Sequence, residues 1–401
     1  MAARLFLFDD PVARDWLPFS LTRPAGELLF GTRTLRARAE RAWGLACEGH
    51  LSTEALLDFE EADAPPCVTP AQIGTAGDRL LLSSRFACDE GGGFDAPTVL
   101  TDGSETVGAW IPHGTPLPPH LLAGRSPRWR RAALAGTLLG SPWELMNANG
   151  DRVRADARDL PDDDLPRRVH RVGRGRVSIG EGAVIEPGVV LDTTDGPVIL
   201  AEGARVQGPC RIAGPAYVGP GSVVLGGVFE NVSIGPVCKV RGEVESTVFT
   251  GFANKAHDGF LGHSVVGRWV NLGAMTTNSD LKNTYGTVRA RIGGRTIDTG
   301  LTKAGCLLGD HVRTGIGTLL NTGSVIGAGA SVFGGGMPPG DVPPFSWGGQ
   351  AGLGEYDIGR FLDVAARVMA RRGVALTAGG RRLYQRAFAD TAPLRSGPEP
   401  P

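Results

Sequence analysis

The sequence predicts an α/β N-terminal domain followed by a left-handed parallel β-helix of hexapeptide repeats, capped by a C-terminal α-helix. Three observations carry the prediction. Glycine, 60 of 401 residues, concentrates after residue 171. Past that point aliphatic residues recur at every sixth position, at Leu200, Val206, Ile212, Val218 and Val224 and again, with one threonine, at Leu308, Thr314, Leu320, Ile326 and Val332. The fifth position of each hexad is small: Ala204, Cys210, Ala216, Ser222 and Val228, then Val312, Thr318, Ser324 and Ala330. A helix would repeat at about 3.6 residues and a half-buried strand at about 2, whereas three hexads close one triangular coil whose aliphatic residues stack inside. About six such coils are expected.

The elements follow in order. "RLFLF" (Arg4 to Phe8) reads as a buried strand, Thr32 to Trp43 as a helix with Thr32 as its N-cap, and "TVLTDGSETVGAWI" as a hairpin turning at Asp102-Gly103. The acidic, proline-bearing run "DARDLPDDDLPRR" (Asp156 to Arg168) is linker chemistry, which sets the domains at 1–165, 166–350 and 351–401. Within the repeat, Asp192 to Pro197 adds two residues and reads as a corner bulge. Asn278 to Gly305 breaks the phase with a long polar, basic excursion, and loops of that length in a compact scaffold are functional or disordered. Ile358, Phe361, Leu362, Ala365, Val368 and Met369 fall on one face of a helix, which is expected to cover the open end of the solenoid and its strand edges.

Composition excludes several classes. A net charge of −1 gives no reason to expect nucleic acid or an anionic membrane surface as partner. No apolar run approaches the roughly 18 residues of a membrane span. The start, "MAARLFLFDDPVARDW", meets acid within its first nine residues, so a cytoplasmic location is expected. The six cysteines lie far apart with no C-x-x-C pair, which fits reduced, buried thiols rather than a zinc knuckle.

Chemistry concentrates in "ANKAHDGFLGHSVVGRWVNLGAMTTNS", Ala253 to Ser279, where two of the seven histidines, a lysine and several asparagines interrupt an apolar repeat. Of 41 basic residues only Lys239, Lys255, Lys282 and Lys303 are lysine, all between 239 and 303. Elsewhere the chain uses arginine, so an ammonium is specifically expected here. His263 stands one hexad after His257, on the next face of the triangle, so the two cannot ligate one ion within a chain. Ligation across chains, with His311 as third ligand, is the rival reading; no metal site is assigned.

"NKAHDGFLGHSVVGRWVNLGA" with "NSDLKNTYG", followed by hexads and "FSWGG" and preceded at the start by "LFDDPVARDWLPFSLTRPAGELLFG", resembles the GlmU-like family of bifunctional sugar nucleotidyltransferases and acetyltransferases. Its better-known relatives are N-acetylglucosamine-1-phosphate uridyltransferases that also acetylate glucosamine-1-phosphate. The resemblance implies a nucleotidyltransferase-like N-terminal domain, a β-helix acyltransferase domain, and a homotrimer with acetyl-CoA bound between helices. It also implies a sugar phosphate or nucleotide sugar as the small-molecule partner. It places His257 at the catalytic histidine, Asn271 at a substrate-binding asparagine and Ala274 at the acetyl-CoA approach. An imidazole, with a pKa of about 6.5, suits removal of a proton from the acceptor amine. Two positions depart from the pattern: Phe260 replaces a tyrosine, and "NSDLKNTYG" replaces an N-Y-D-G turn. The expected cleft is lined by Lys255, His257, Asn271, Asn278, Lys282 and Tyr285, with asparagines on sugar hydroxyls and lysines on a phosphate. Lys303 is assigned to the coenzyme A phosphates, and the loop after Asn278 to a cover over the cleft.

The first half fits the pattern less closely. Where nucleotidyltransferases carry a G-x-G-T-R loop that cradles phosphates, "DDPVARDWLPFSLTRP" has no glycine. Arg23 takes the place of the family's lysine beside the sugar phosphate. Asp102 suggests a magnesium ligand but reads first as a turn residue, and Mg2+ is implied only if this half is active. Two function classes stay open: an acyltransferase, or a nucleotide-sugar-binding or scaffold protein with a degenerate nucleotidyltransferase domain.

Overall fold

Apolar runs build the first sheet. β1 (Arg4–Phe8) lies between β2 (Cys47–Leu51) and β3 (Arg79–Ser83), parallel to both. β4 (Thr98–Asp102) and β5 (Glu105–Ile111) form the hairpin, and β6 (Arg130–Ala133) pairs with β4, giving the order β2-β1-β3-β5-β4-β6. The computed structural model describes residues 3–395, and this sheet belongs to a unit made of residues up to 28, 33–142 and 377–387. The second unit gathers residues 29–32, 143–376 and those from 388 onward. The hairpin turns one residue later than expected: Asp102 pairs with Glu105, and Gly103 takes a φ of 55°. Asp102 accepts a hydrogen bond from Leu138 N at 3.2 Å, a structural use of its carboxylate. Helix α1 (Leu35–Trp43) is capped by Thr34, which accepts from Ala37 N at 3.1 Å. Thr32 is therefore not the cap; its hydroxyl donates to Asp156 at 2.8 Å.

In the second unit residues 170–348 form a parallel β-solenoid of about 10 turns, against about six expected. The pairing explains the miscount. Along one face Val177 pairs with Val198, Val198 with Ala216, Tyr217 with Ser233, Ser233 with Val248, and Val248 with Val265; beyond the excursion Val265 pairs with Leu307, Leu307 with Val325 and Val325 with Asp341. Coils of 15 to 17 residues between Tyr217 and Val265 hide the 18-residue phase there. All ten hexad positions are nevertheless buried. Val228 departs: it is 49% exposed because the register slips at Gly226-Gly227, and Phe229 takes the inside place.

The excursion is folded. β7 (Arg289–Ile292) and β8 (Arg295–Asp298) make an antiparallel hairpin turning on Gly293-Gly294, both at positive φ. Val288, Ala290 and Ile292 are buried while Arg289 and Arg291 point out, and Arg291 pairs with Asp341 at 3.3 Å.

Residues at left-handed φ mark the corners of the triangle. One corner stacks Phe252, Trp269, His311 and Phe345 on successive coils, with Gly329 between the last two. Phe252 and Trp269 rings lie 4.2 Å apart, and His311 stacks on Trp269 at 6.1 Å. A second corner holds Asn231, Ser246 and His263; a third holds Met275 and Gly317 beside the Asp258 and Ala274 carbonyls. Helix α2 (Ile358–Ala370) buries Phe361, Leu362, Ala365 and Met369. Phe361 meets His311 at 5.7 Å and Phe345 at 5.1 Å, so the helix packs along the aromatic corner and not only over the open end. The stacked rings present an apolar edge on the side of the coil stack, and the apolar stripe of α2 follows it. All six cysteines are free and buried, and burial pushes thiols such as Cys238 up to about 12. Among the described residues no helix is long and apolar enough to cross a membrane.

Candidate functional site

The strand pair Asn254–Lys255 alternates sides, sending Lys255 inward to 2% exposure and Asn254 outward. The Lys255 ammonium donates to the carbonyls of Arg241 at 2.8 Å, His257 at 3.2 Å and Gly259 at 2.7 Å. Three donors meet three acceptors, which is what a buried ammonium needs. Burial pulls its pKa down to about 8, opposed by the charge of Asp258. Lys255 thus ties down the turn that carries His257 and does not face a phosphate. His257 itself is exposed, just before the third corner. Asn271 is half-buried one coil further on, and Asn254 Nδ2 donates to its Oδ1 at 3.0 Å. Ala274 is half-buried and its carbonyl accepts from Gly317 N at 2.9 Å.

The other expected members of the cleft are engaged or exposed. Asn278 is buried, accepting from Gly262 N at 2.8 Å and donating to Gly262 O at 3.0 Å, so its amide completes the coil ladder. Lys282 donates to the Thr287 carbonyl and closes the base of the excursion. Tyr285 is 73% exposed at positive φ. Lys303 pairs with Glu245 at 2.9 Å and is not held free for coenzyme A phosphates. Three of the four ammonium groups, those of Lys255, Lys282 and Lys303, serve the protein's own acceptors.

Sequence reading missed an ionic cluster. His263 Nδ1 lies 2.7 Å from Asp280 Oδ2, and its Nε2 is 3.9 Å from Glu245 Oε1, the carboxylate that Lys303 also meets. Burial raises the Asp280 carboxyl, but the His263 hydrogen bond and the charges of His263 and Lys303 bring it net below its ordinary value. Glu245, His263 and Asp280 offer ligand atoms within 4.8 Å of one another, yet the Lys303 ammonium already supplies their positive charge. The spacing was the available signal, since these residues recur at one-coil intervals. His311, the proposed third metal ligand, is instead held in the aromatic corner.

In the first unit polar groups collect past the carboxyl ends of β1, β2 and β3, the crevice where open α/β sheets bind ligands. Here the protein's own groups pair with one another. Asp9 accepts from the Ser52 and Ser84 hydroxyls and from Ala25 N at 3.2 Å, and burial raises its pKa despite them. Asp10 pairs with Arg85 at 2.8 Å. Glu27 lies 2.7 Å from His50 and 2.6 Å from Arg36; burial raises its carboxyl, but His50 and Arg36 together lower it to about 2. Arg23, expected beside a sugar phosphate, is buried and paired with Glu61 at 3.0 Å. With these carboxylates engaged and that of Asp102 taken up by Leu138 N at the end of β4, the residues do not fit an open Mg2+ site.

Residues 5–163 match the family described as sugar nucleotidyl transferase. A bifunctional sugar-1-phosphate nucleotidylyltransferase/acetyltransferase of Sulfurisphaera tokodaii is 32% identical over 37% of this chain and 38% of its own. The bifunctional protein GlmU of Methanocaldococcus jannaschii is 27% identical over 47% of this chain and 41% of its own. The matches thus span about two fifths of those relatives. A structure of an Arabidopsis UDP-N-acetylglucosamine acyltransferase superposes with a TM-score of 0.25 and 15% identity, over 60% of this chain and 96% of that one, and carries no argument at that score. The family match and the two relatives support a GlmU-like assignment.

Proposed function

We propose that this GlmU-like chain is an acyltransferase that moves the acetyl group of acetyl-CoA onto the amine of a phosphorylated amino sugar or amino-sugar nucleotide. The observation that carries the reading is the His257 corner: an exposed imidazole on a backbone that the buried Lys255 ammonium ties at three carbonyls. In the reaction the amine nitrogen forms a bond to the acetyl carbon while the thioester C–S bond breaks. The coenzyme leaves as a thiolate, and His257 takes the proton that the amine must lose. Asn271 would hold the acceptor hydroxyls, and the short side chain of Ala274 leaves room for the acetyl group. A fixed base and a bound acceptor convert an encounter into an oriented attack.

A second reading applies to the first unit. Arg23, Asp10 and Glu27 are engaged in internal ion pairs, which favours a degenerate nucleotidyltransferase domain that binds a nucleotide sugar or serves as scaffold. The test is release of free thiol from acetyl-CoA against a panel of hexosamine phosphates and amino-sugar nucleotides. We expect turnover with at least one acceptor, and His257→Ala to lower kcat by roughly 10²–10⁴-fold with an unchanged melting temperature. Turnover unaffected by the substitution would assign the base elsewhere, and binding without turnover would favour the scaffold.

A further inference from the structure

The cations expected to meet a phosphate are occupied, but others are not. Lys239, Asn254, Asn271 and Arg313 form one column, each paired with the next through the backbone on successive coils. At about 4.8 Å per coil the column is roughly 14 Å long. The end of α2 adds Arg371 and Arg372 to its lining, and the half-open pocket measures about 220 Å³. Among the described residues no carboxylate pairs with Lys239, Arg313, Arg371 or Arg372, and no acid lines the cavity. Four cations converge here without a counter-ion, whereas Arg171, Arg211, Arg241, Lys255 and Lys303 of the same solenoid each meet an acid or a carbonyl.

We propose that this cavity binds the phosphate group of a phosphate ester. Arg313 is half-buried, and burial pulls its guanidinium below its ordinary range, so an anion would relieve an uncompensated charge. Three arginines present planar forks of donors that match phosphate oxygens, and the Asn254 and Asn271 amides are placed for the hydroxyls of the esterified group. Phe252 and Trp269 form the apolar wall, but Trp269 is stacked on Phe252 and on His311, which leaves ring edges rather than a face for a base to stack on. The volume lies below the about 300–1,000 Å³ of sites that engulf a drug-sized ligand, so the cavity suits a phosphorylated sugar or the phosphate end of a longer molecule. The site shares Asn271 with the proposed acetyl-transfer site, but its charge and shape stand without that reading.

Calorimetry on the full chain at low salt, with glucosamine-1-phosphate, coenzyme A and inorganic phosphate as probes, tests it. One of the two esters should bind more tightly than inorganic phosphate, and which one does so identifies the source. Arg313→Gln and Arg372→Gln should each weaken that binding by about 10- to 100-fold. Lys239→Gln, an exposed side chain, should weaken it without touching the fold and guards against loss of structure in the arginine variants. Binding of neither ester, equal binding of inorganic phosphate, or affinities unchanged in all three variants would overturn the proposal. His257→Ala should keep ester binding, so that loss of turnover there reports on the base and not on the cavity.

Discussion

Lys255 shows how one residue can be legible in type and misread in role. A lysine in a chain that otherwise uses arginine signals a requirement for an ammonium, and the structure meets that requirement with three carbonyls. Its pKa of about 8 against 10.5 gives a pH dependence. Below about 8 both folded and unfolded chains carry the proton. Between about 8 and 10.5 the unfolded chain holds a proton that the folded chain has released, so folding becomes more favourable as pH rises through that window. The gain is bounded by about 3 kcal/mol. Melting curves from pH 7.5 to 10.5 should therefore show a rise that Lys255→Met lacks, together with a loss on the order of 3 kcal/mol at pH 7 from stranded carbonyls. A variant with the parental pH profile would mean the ammonium does not organise this turn. Sequence alone could not reach this, because whether a side chain points in or out depends on the coil's register, and the short coils here obscure it.

At the scale of elements, what was readable is what repeats. The hexads were legible because stacking demands the same aliphatic position on every coil; the coils from Tyr217 to Val265 were not, because stacking fixes the strands and leaves the corners free to shorten. The hairpin at Arg289–Asp298 was legible in principle, since Val288, Ala290 and Ile292 alternate before Gly293-Gly294, but its polar, basic composition is also that of a loop. The Glu245, His263 and Asp280 cluster likewise needed the coil length before its members could be aligned. The aromatic corner supplies a test of packing. A Cβ on Gly329 would stand 2.6 Å from the Phe345 ring and 3.1 Å from Phe361, at a φ of 72°. Gly317 has nearly the same φ, 70°, and open space around it. Gly317→Ala should thus show backbone strain alone, about 1 kcal/mol, while Gly329→Ala adds overpacking of roughly 1–3 kcal/mol. Equal melting temperatures for the two variants would show that the corner yields and that α2 is not held by these rings.

At the scale of the whole molecule the question is what covers the third corner. Met275 is 57% exposed and Ile316 76% exposed, and Phe333 adds a further exposed ring on the next coil. Single exposed apolar residues are ordinary, but a stripe along successive coils is the kind of patch that a neighbouring chain can cover. This stripe borders Ala274 and follows the turn of His257, so a neighbouring chain seated on it would wall the proposed acetyl-CoA approach. A solenoid that uses one edge against a different face of the next copy makes a head-to-tail contact, which closes into a ring when the rotation allows. We therefore expect a homotrimer, with light scattering giving three times the 41.9 kDa of one chain at micromolar concentration. Ile316→Asp should place a charge in the contact, shift the mass toward that of a single chain and lower turnover, while the melting profile of the isolated chain is retained. A wild-type mass of one chain would mean that the His257 corner works without a neighbour, and a trimer indifferent to Ile316→Asp would put the contact on another face.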